Sequence, residues 1–347
     1  MVRIVLCHAQ RWRKLSVTLA RDLSTVRLLS NGHTEMLELL TLSIDSVDMD
    51  DPSVERDNLT LHDVFTQGTF NLKFLRLRGM AVHLFRPPLQ QLTVFHLEQT
   101  NNIPISYATF KDLLTASTNL AHLSVYGDML TTSEWPMAPT PTSLIHLPAL
   151  QSLRICGTDG RIFKGVLANI QSPILRSLTL KDMQESDIDG DLDNPQSTVP
   201  FPQLTELTFC DFELSEKQYK SFFRLFPSIQ SFSSFSSTIG TTKIYKPLCQ
   251  HYTSGDQPLP WPNLQTLCFG FDPSDDPGLV EDLLLDRKKS LYPLTELHFA
   301  TTDRDGIHLW LADVDTCGVD MTMASTVEQW PPSSGMEYLD CDDILFD

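Results

Sequence analysis

The sequence predicts an α/β solenoid, in which one short parallel strand per repeat stacks beside the strand of the next repeat. Three observations predict it. A ten-residue phrase recurs, since PQLTELTFCD at 202–211 is nearly repeated as PNLQTLCFGF at 262–271. The recurrences between Trp12 and Leu294 are spaced by about 28 residues on average. Several intervening segments carry apolar residues at helical spacing. A fixed period of this size is typical of repeats that stack into one body.

The repeat has the form L-x-x-L-x-φ, where φ is an apolar residue, and its positions are numbered from the first leucine. Most repeats keep apolar side chains at positions one, four and six, and the repeat at Ile229 is the weakest because Ser234 occupies its position six. The predicted starts are Trp12, Leu39, Leu72, Leu92, Leu120, Leu150, Leu175, Leu204, Ile229, Leu264 and Leu294.

Each repeat is predicted to contribute a strand of about six residues. Positions four and six are two residues apart, which is the period of a strand, so both side chains point to one face. Such a strand cannot bury that face alone, but stacked on its neighbours at ~4.8 Å it forms a parallel sheet covered by helices. Helices are predicted over 106–118, 215–226 and 278–290, where apolar residues follow helical spacing.

This period matches the leucine-rich repeat. Position nine, where many such repeats carry Asn, varies from repeat to repeat, and long insertions occur at 126–143, 181–200 and 232–262. The prediction is therefore an irregular leucine-rich-repeat solenoid, with parallel strands on the concave face and helices and loops on the convex face. About eleven repeats fill residues 1–300, and residues 301–347 are predicted to be an acidic C-terminal tail, partly ordered at most.

Composition narrows the class of function. The net charge is −18, and residues 301–347 carry 11 acidic residues against the single Arg304. This balance disfavours nucleic-acid binding as the main function. Apolar runs are too short for a membrane span, and the opening segment is too short for a signal peptide. The 7 Cys are scattered singly, which is typical of reduced thiols in the cytoplasm or nucleus.

The sequence offers no catalytic, cofactor-binding or metal site. It lacks the phosphate-binding, nucleophile-elbow and H-E-x-x-H motifs. Alternating aspartates at 187–193 could collect a cation, but a calcium loop needs Glu at its twelfth position and Thr198 stands there, so an acidic surface loop is predicted. Cys156 and Cys210 are expected to lie about two strand spacings apart, beyond disulfide reach.

The remaining candidate is the strand face that carries positions three, five and seven. Arg and aromatic side chains are enriched in binding hot spots, and charged side chains on such a face are otherwise simply solvated. The richest cluster is predicted to meet a protein partner and consists of Arg76, Arg78, His96, Glu98, His122, Tyr126 and Arg154.

The segment HAQRWRKLSVTL at 8–19, followed by LELLTLSI at 37–44 and LKFLRLRG at 72–79, resembles fungal F-box proteins with leucine-rich repeats. In that family an H-x-x-R-W-x-x-L segment commonly opens the repeat array. The resemblance covers roughly residues 8–300. It implies a non-catalytic substrate-recognition region of a ubiquitin ligase (an SCF complex), whose repeats capture a protein substrate.

The family's F-box, which docks onto a Skp-type adaptor, is absent from this chain, so adaptor binding is expected only if an F-box lies upstream. One alternative is a stand-alone leucine-rich-repeat inhibitor or scaffold, in which the acidic tail regulates access to the concave face. A hydrolase on a β-solenoid would need clustered carboxylates on successive strands, and the sequence supplies only scattered ones.

Overall fold

The structure is a computed structural model in which the chain forms two compact units, Met1–Ser172 and Pro173–Asp347, called here the N-terminal and C-terminal units. The residues described are 8–18, 29–30, 32–44, 62–66, 69–100, 103–131, 135–136, 140–157, 162–183, 201–211, 214–235, 247–248, 259–270, 276–300, 307 and 317–324. The predicted acidic loop at 187–193 and most of the predicted tail lie outside these ranges.

The N-terminal unit contains ten strands and three α-helices whose bounds lie within its described residues. The strands are β1 (Lys14–Thr18), β2 (Leu39–Ile44), β3 (His62–Asp63), β4 (Phe74–Gly79), β5 (Phe85–Arg86), β6 (Val94–Glu98), β7 (His122–Tyr126), β8 (Ile145–His146), β9 (Ser152–Cys156) and β10 (Ile170–Gln171). The helices are α1 (Ala81–Leu84), α2 (Tyr107–Thr115) and α3 (Ile162–Asn169). Strands β1, β2, β4, β6, β7 and β9 form one parallel ladder in that order.

The C-terminal unit repeats this plan. Its strands are β11 (Ser177–Lys181), β12 (Glu206–Cys210), β13 (Ser231–Phe235), β14 (Thr266–Gly270), β15 (Glu296–Ala300) and β16 (Asp320–Ala324), and they pair in parallel in chain order. Its helices are α4 (Glu216–Leu225) and α5 (Pro277–Lys289). The predicted α/β class with parallel strands and helical crossovers is confirmed, and strands that follow chain order are compatible with a solenoid.

The apolar face of each ladder forms the core. Positions four and six are buried on successive strands, as Leu75 and Leu77 of β4 and Phe95 and Leu97 of β6 show. Position one is buried in the turn before most strands of the ladders, as Leu72 and Leu92 illustrate. Each such side chain contributes roughly 1.5–3 kcal/mol when it is fully buried.

The second repeat starts two residues earlier than predicted. Leu40 pairs with Leu15, and Thr41 pairs with Arg76, so the repeat begins at Leu37 and not at Leu39. The sequence LELLTLSI contains two overlapping copies of the phrase, which is why the pattern alone did not separate them. The turn decides between them, because the Leu37 N–H donates to the Thr34 carbonyl at 3.1 Å.

The helices begin where capping side chains permit. At α2, the Ser106 hydroxyl accepts from the Thr109 N–H at 3.1 Å. At α4, Ser215 and Gln218 form a reciprocal capping box. At α5, Asp276 caps the N-terminus, and the last turn carries three basic residues that suit the helix dipole.

Strand β16 lies inside the segment that the sequence analysis assigned to the acidic tail. Leu297 pairs with Met321 and Phe299 with Met323, so positions four and six of this last repeat are Met321 and Met323. Position one of the same repeat is Gly318. The leucine phrase therefore could not predict β16.

A buried arginine joins α5 to the loop before β14. Arg287 is fully buried, and its guanidinium donates to the Trp261 carbonyl at 3.0 Å and to the Pro260 carbonyl at 2.7 Å. The Trp261 ring packs against Phe223 and Phe232, with ring centroids 4.7 and 5.0 Å away. Arg287 thus holds the backbone that places the largest buried side chain of the C-terminal unit.

Within the described part of the chain, no helix has the length and apolar character needed to cross a membrane.

The contact between Gly165 and Trp135 gives a test of packing in the N-terminal unit. A Cβ on Gly165 of α3 would lie 2.1 Å from the Trp135 ring, which also packs edge-on against Phe110. Gly165→Ala is therefore expected to destabilise the protein by roughly 1–3 kcal/mol through overpacking, although alanine in an exposed helix would stabilise it. Urea denaturation measures the change.

The control is the double variant Gly165→Ala with Trp135→Leu. Removing the indole relieves the clash, so the two substitutions should be clearly non-additive. Additive losses, or a stabilising effect of Gly165→Ala, would contradict the packing described.

Candidate functional site

The seven residues predicted to meet a partner lie on one face of four adjacent strands in the N-terminal unit. Arg76 and Arg78 lie on β4, His96 and Glu98 on β6, His122 and Tyr126 on β7, and Arg154 on β9. Strand register aligns position five across these strands, from Arg76 through His96 and Ser124 to Arg154. Position seven is aligned in the same way, from Arg78 through Glu98 to Tyr126. The structure therefore brings all seven residues together on this polar strand face.

Glu98 is the centre of the charges on this face. Arg76 Nε lies 2.6 Å from Glu98 Oε1, and the nearest Arg78 nitrogen lies 4.0 Å from Glu98 Oε2. His96 Nδ1 lies 3.9 Å from Glu98 Oε1, and the His96 ring packs on Phe74 with centroids 5.0 Å apart. One carboxylate thus faces two guanidinium groups and an imidazole.

Much of this cluster is buried, although the sequence analysis expected positions three, five and seven to be open. Arg76, His96, Glu98 and Arg154 are only 5%, 4%, 2% and 3% exposed. Arg78, His122 and Tyr126 are half-buried. Each of the seven side chains has at least one interaction partner within the protein. Arg76 and Glu98 are diagonal neighbours, because Arg76 pairs in register with His96 and Glu98 lies two residues further along β6. Adjacent strands lie ~4.8 Å apart, so the two side chains reach each other across this gap and their opposite charges compensate in the buried pair.

The electrostatics at the rim of the cluster follow from burial. Desolvation lowers the pKa of His122, so the neutral imidazole is favoured. His83, which the sequence analysis did not single out, follows β4 in α1 and makes a hydrogen bond of 2.8 Å through Nε2 to the Ile103 carbonyl. Burial is the main cause that lowers the pKa of His83, and the nearby Arg86 lowers it further, while the hydrogen bond to Ile103 opposes both.

The loop after β6 is held by a second residue that the sequence pattern missed. The side-chain amide of Gln99 donates to the Ile103 carbonyl, and its backbone N–H donates to the Tyr126 carbonyl at 2.8 Å. Gly127 is required beside it, because φ is +74° there and a Cβ would lie 2.3 Å from the Gln99 carbonyl oxygen. These contacts fix the ends of β6 and β7, where Glu98 and Tyr126 lie.

The polar strand face of the C-terminal unit is more open. Its position three carries exposed acidic side chains at Glu206, Glu296 and Asp320. Lys181 of β11 is buried, and its Nζ lies 3.5 Å from Asp211 Oδ2. The repeat pattern places Glu206, Glu296 and Lys181 on the strand face, whereas Asp320 falls in the segment predicted to be the tail. None of them was predicted to bind a partner, since exposure cannot be read from alternation alone.

Two further features of the described residues concern metal ligands and thiols. Within those ranges, no group of three or more His, Cys, Asp or Glu could hold a metal ion. Cys156, Cys210 and Cys268 are buried thiols. No protein-family model matches the sequence, and a comparison with curated proteins gives no significant match.

The pair Arg76–Glu98 gives the site's stability test. Glu98→Ala leaves the Arg76 guanidinium buried without its carboxylate, so a loss of about 3–5 kcal/mol in the free energy of unfolding is expected. The matched control is Glu206→Ala, a glutamate that is exposed on the same kind of strand face, for which the change should stay within about 0.5 kcal/mol.

A third variant separates the charge from the packing. If the buried charge is what costs stability, then Arg76→Met combined with Glu98→Met should be less destabilised than Glu98→Met alone. Equal losses for Glu98→Ala and Glu206→Ala in chemical denaturation would show that Glu98 is not held in a buried ion pair.

Proposed function

We propose that this chain is a non-catalytic protein-interaction scaffold built from irregular leucine-rich repeats. The observation that carries the proposal is the alternation of apolar and polar side chains along the strands. Alternate side chains form a continuous apolar core, while the others form aligned rows of polar and charged groups. A rigid surface of aligned polar rows is suited to recognise an extended partner, because every row has a fixed spacing.

The finer proposal is the substrate-recognition region of an F-box type ubiquitin-ligase adaptor. Its support is the resemblance of the opening segment and of the repeats. Ala9–Arg11 forms a 3-10 turn that Trp12 ends, and the chain then enters β1, which is the first rung of the ladder. The resemblance implies that the Arg-Trp motif opens a repeat array, and in this proposal Arg11 and Trp12 do so here.

In this proposal the repeats hold a protein substrate. A Skp-type adaptor would be bound by an F-box outside the residues described, and the complex would act in the cytoplasm or the nucleus. The stand-alone inhibitor or scaffold shares the same surfaces but has no link to degradation. The two versions therefore differ in what happens to the bound protein and not in how it is bound.

Affinity capture with the full chain tests the scaffold. Immobilised protein is exposed to an extract of its own cells, and the retained proteins are compared with those on a column that carries a heat-denatured sample of the same chain. We expect at least one protein to be retained by the folded chain alone and to bind again after purification. Retention of the same proteins by both columns would contradict the scaffold.

The ligase link is tested on the retained protein. Its half-life is measured in cells with and without an excess of this chain. A substrate receptor, or a fragment of one that competes for substrate, is expected to change that half-life. If the half-life of the bound protein does not change, the scaffold proposal stands and the proposed role in a ubiquitin ligase is contradicted.

A further inference from the structure

The open polar strand face of the C-terminal unit shows what kind of partner it fits. This face is made of positions three and five of β11–β16. Position three reads Ser177, Glu206, Ser231, Thr266, Glu296 and Asp320, and position five reads Thr179, Thr208, Ser233, Cys268, His298 and Thr322. The charges exposed here are all negative, since Glu206, Glu296 and Asp320 are exposed and the only other residue of these rows that can carry charge is His298.

Two of the carboxylates are placed against each other. Glu296 and Asp320 are direct partners in the parallel register of β15 and β16. Their side chains project from the same face at a strand spacing of ~4.8 Å, where two like charges repel. A cationic group between them removes that repulsion, so the arrangement favours binding of a positive charge.

The Glu296 carboxylate is also held in place. His298 Nε2 lies 3.1 Å from Glu296 Oε2, and the Thr266 hydroxyl donates to the same oxygen at 3.4 Å. His298 Nδ1 lies 2.5 Å from the Thr322 hydroxyl oxygen. When the Thr322 hydroxyl donates to Nδ1, the Nε2–H donates to Glu296, and the imidazole is fixed between the two strands. These contacts favour one orientation of the carboxylate before a partner binds, which lowers the entropy lost in binding.

We propose that this acidic strand face binds a basic, extended peptide segment that runs across the strands. The charge supports this occupant, and so does the spacing. Glu206 and Glu296 are three strand spacings apart, which is ~14 Å. In an extended chain, side chains four residues apart are separated by ~13 Å and point to the same side. Lysine or arginine at every fourth position therefore meets both carboxylates, and the Ser and Thr rows between them hydrogen-bond to the peptide.

The N-terminal unit does not offer the same site. There the corresponding charges are Arg76, Glu98 and Arg154, which are buried. The sequence favoured that cluster because Arg and aromatic side chains are enriched in binding hot spots. The structure instead favours the face whose charges remain exposed. This assignment rests on the proposed scaffold function and names its partner as a basic segment.

A labelled probe peptide tests the surface directly. The probe is a short fluorescent peptide of alternating lysine and serine, and binding to the full chain is followed by fluorescence anisotropy. The test variant carries Glu206→Gln, Glu296→Gln and Asp320→Asn. Its matched control carries Glu216→Gln, Glu281→Gln and Asp282→Asn on α4 and α5, which removes the same charge from the same unit. All six side chains are exposed or half-buried, so both variants are expected to fold.

The expected result is a rise of at least tenfold in the Kd of the face variant, with the helix variant within twofold of the wild type. A peptide of alternating glutamate and serine should not bind. Equal weakening in both variants would show that only the overall charge attracts the probe and would overturn the proposal. Failure of the wild type to bind the lysine peptide would overturn it too.

The same two variants separate this assignment from the scaffold function. A protein retained in the affinity capture is tested against both. If it binds the face variant as tightly as the wild type, the scaffold stands and the surface assignment is wrong. If no protein is retained by the folded chain, the scaffold fails whatever the probe peptide does.

Discussion

The structure depends on one constraint, which is that no strand of this chain can bury its own apolar face. Leu75 and Leu77 are buried only because neighbouring strands place equivalent side chains beside them. The ladder hydrogen bonds and the turns that carry position one follow from the same stacking. With roughly 1.5–3 kcal/mol from each fully buried side chain, order spreads from strand to strand and not from a central core. The capped helices α2, α4 and α5 serve this arrangement by covering the apolar face.

The same lateral spacing explains the electrostatics of the two units. In the N-terminal unit, Glu98 lies in register with Arg78 and diagonal to Arg76, and its carboxylate offsets part of their positive charge in a buried cluster. In the C-terminal unit, register places Glu296 beside Asp320, and the charges remain exposed and add. One backbone plan therefore yields a charge cluster used for stability and an acidic surface suited to recognition. The choice between them is made by which residues stand at positions three, five and seven.

The sequence predicted the strands whose apolar residues follow the phrase without ambiguity. It failed where the phrase overlaps itself, since Leu37 and Leu39 both fit, and where position one lacks leucine, as at Gly318. The burial of Arg76 and Glu98 could not be predicted from the sequence either, because alternation shows which face of the sheet a side chain occupies but not what covers that face. Long-range contacts, such as that between Arg287 and the Trp261 carbonyl, carry no local signal at all. The family resemblance and the partner remain predictions of the sequence.

Amide hydrogen exchange resolved by mass spectrometry tests the parallel ladder most directly. Within the N-terminal unit, the interior strands β4, β6 and β7 should exchange slowly, and more slowly than the turns that precede them, because their amides are bonded to both neighbours. The edge strand β1, whose Leu15 and Val17 are half-buried, should exchange faster than β4. If peptides that cover these interior strands exchanged as fast as the turn peptides between them, the ladder would be contradicted, and with it the aligned polar rows on which the scaffold proposal rests.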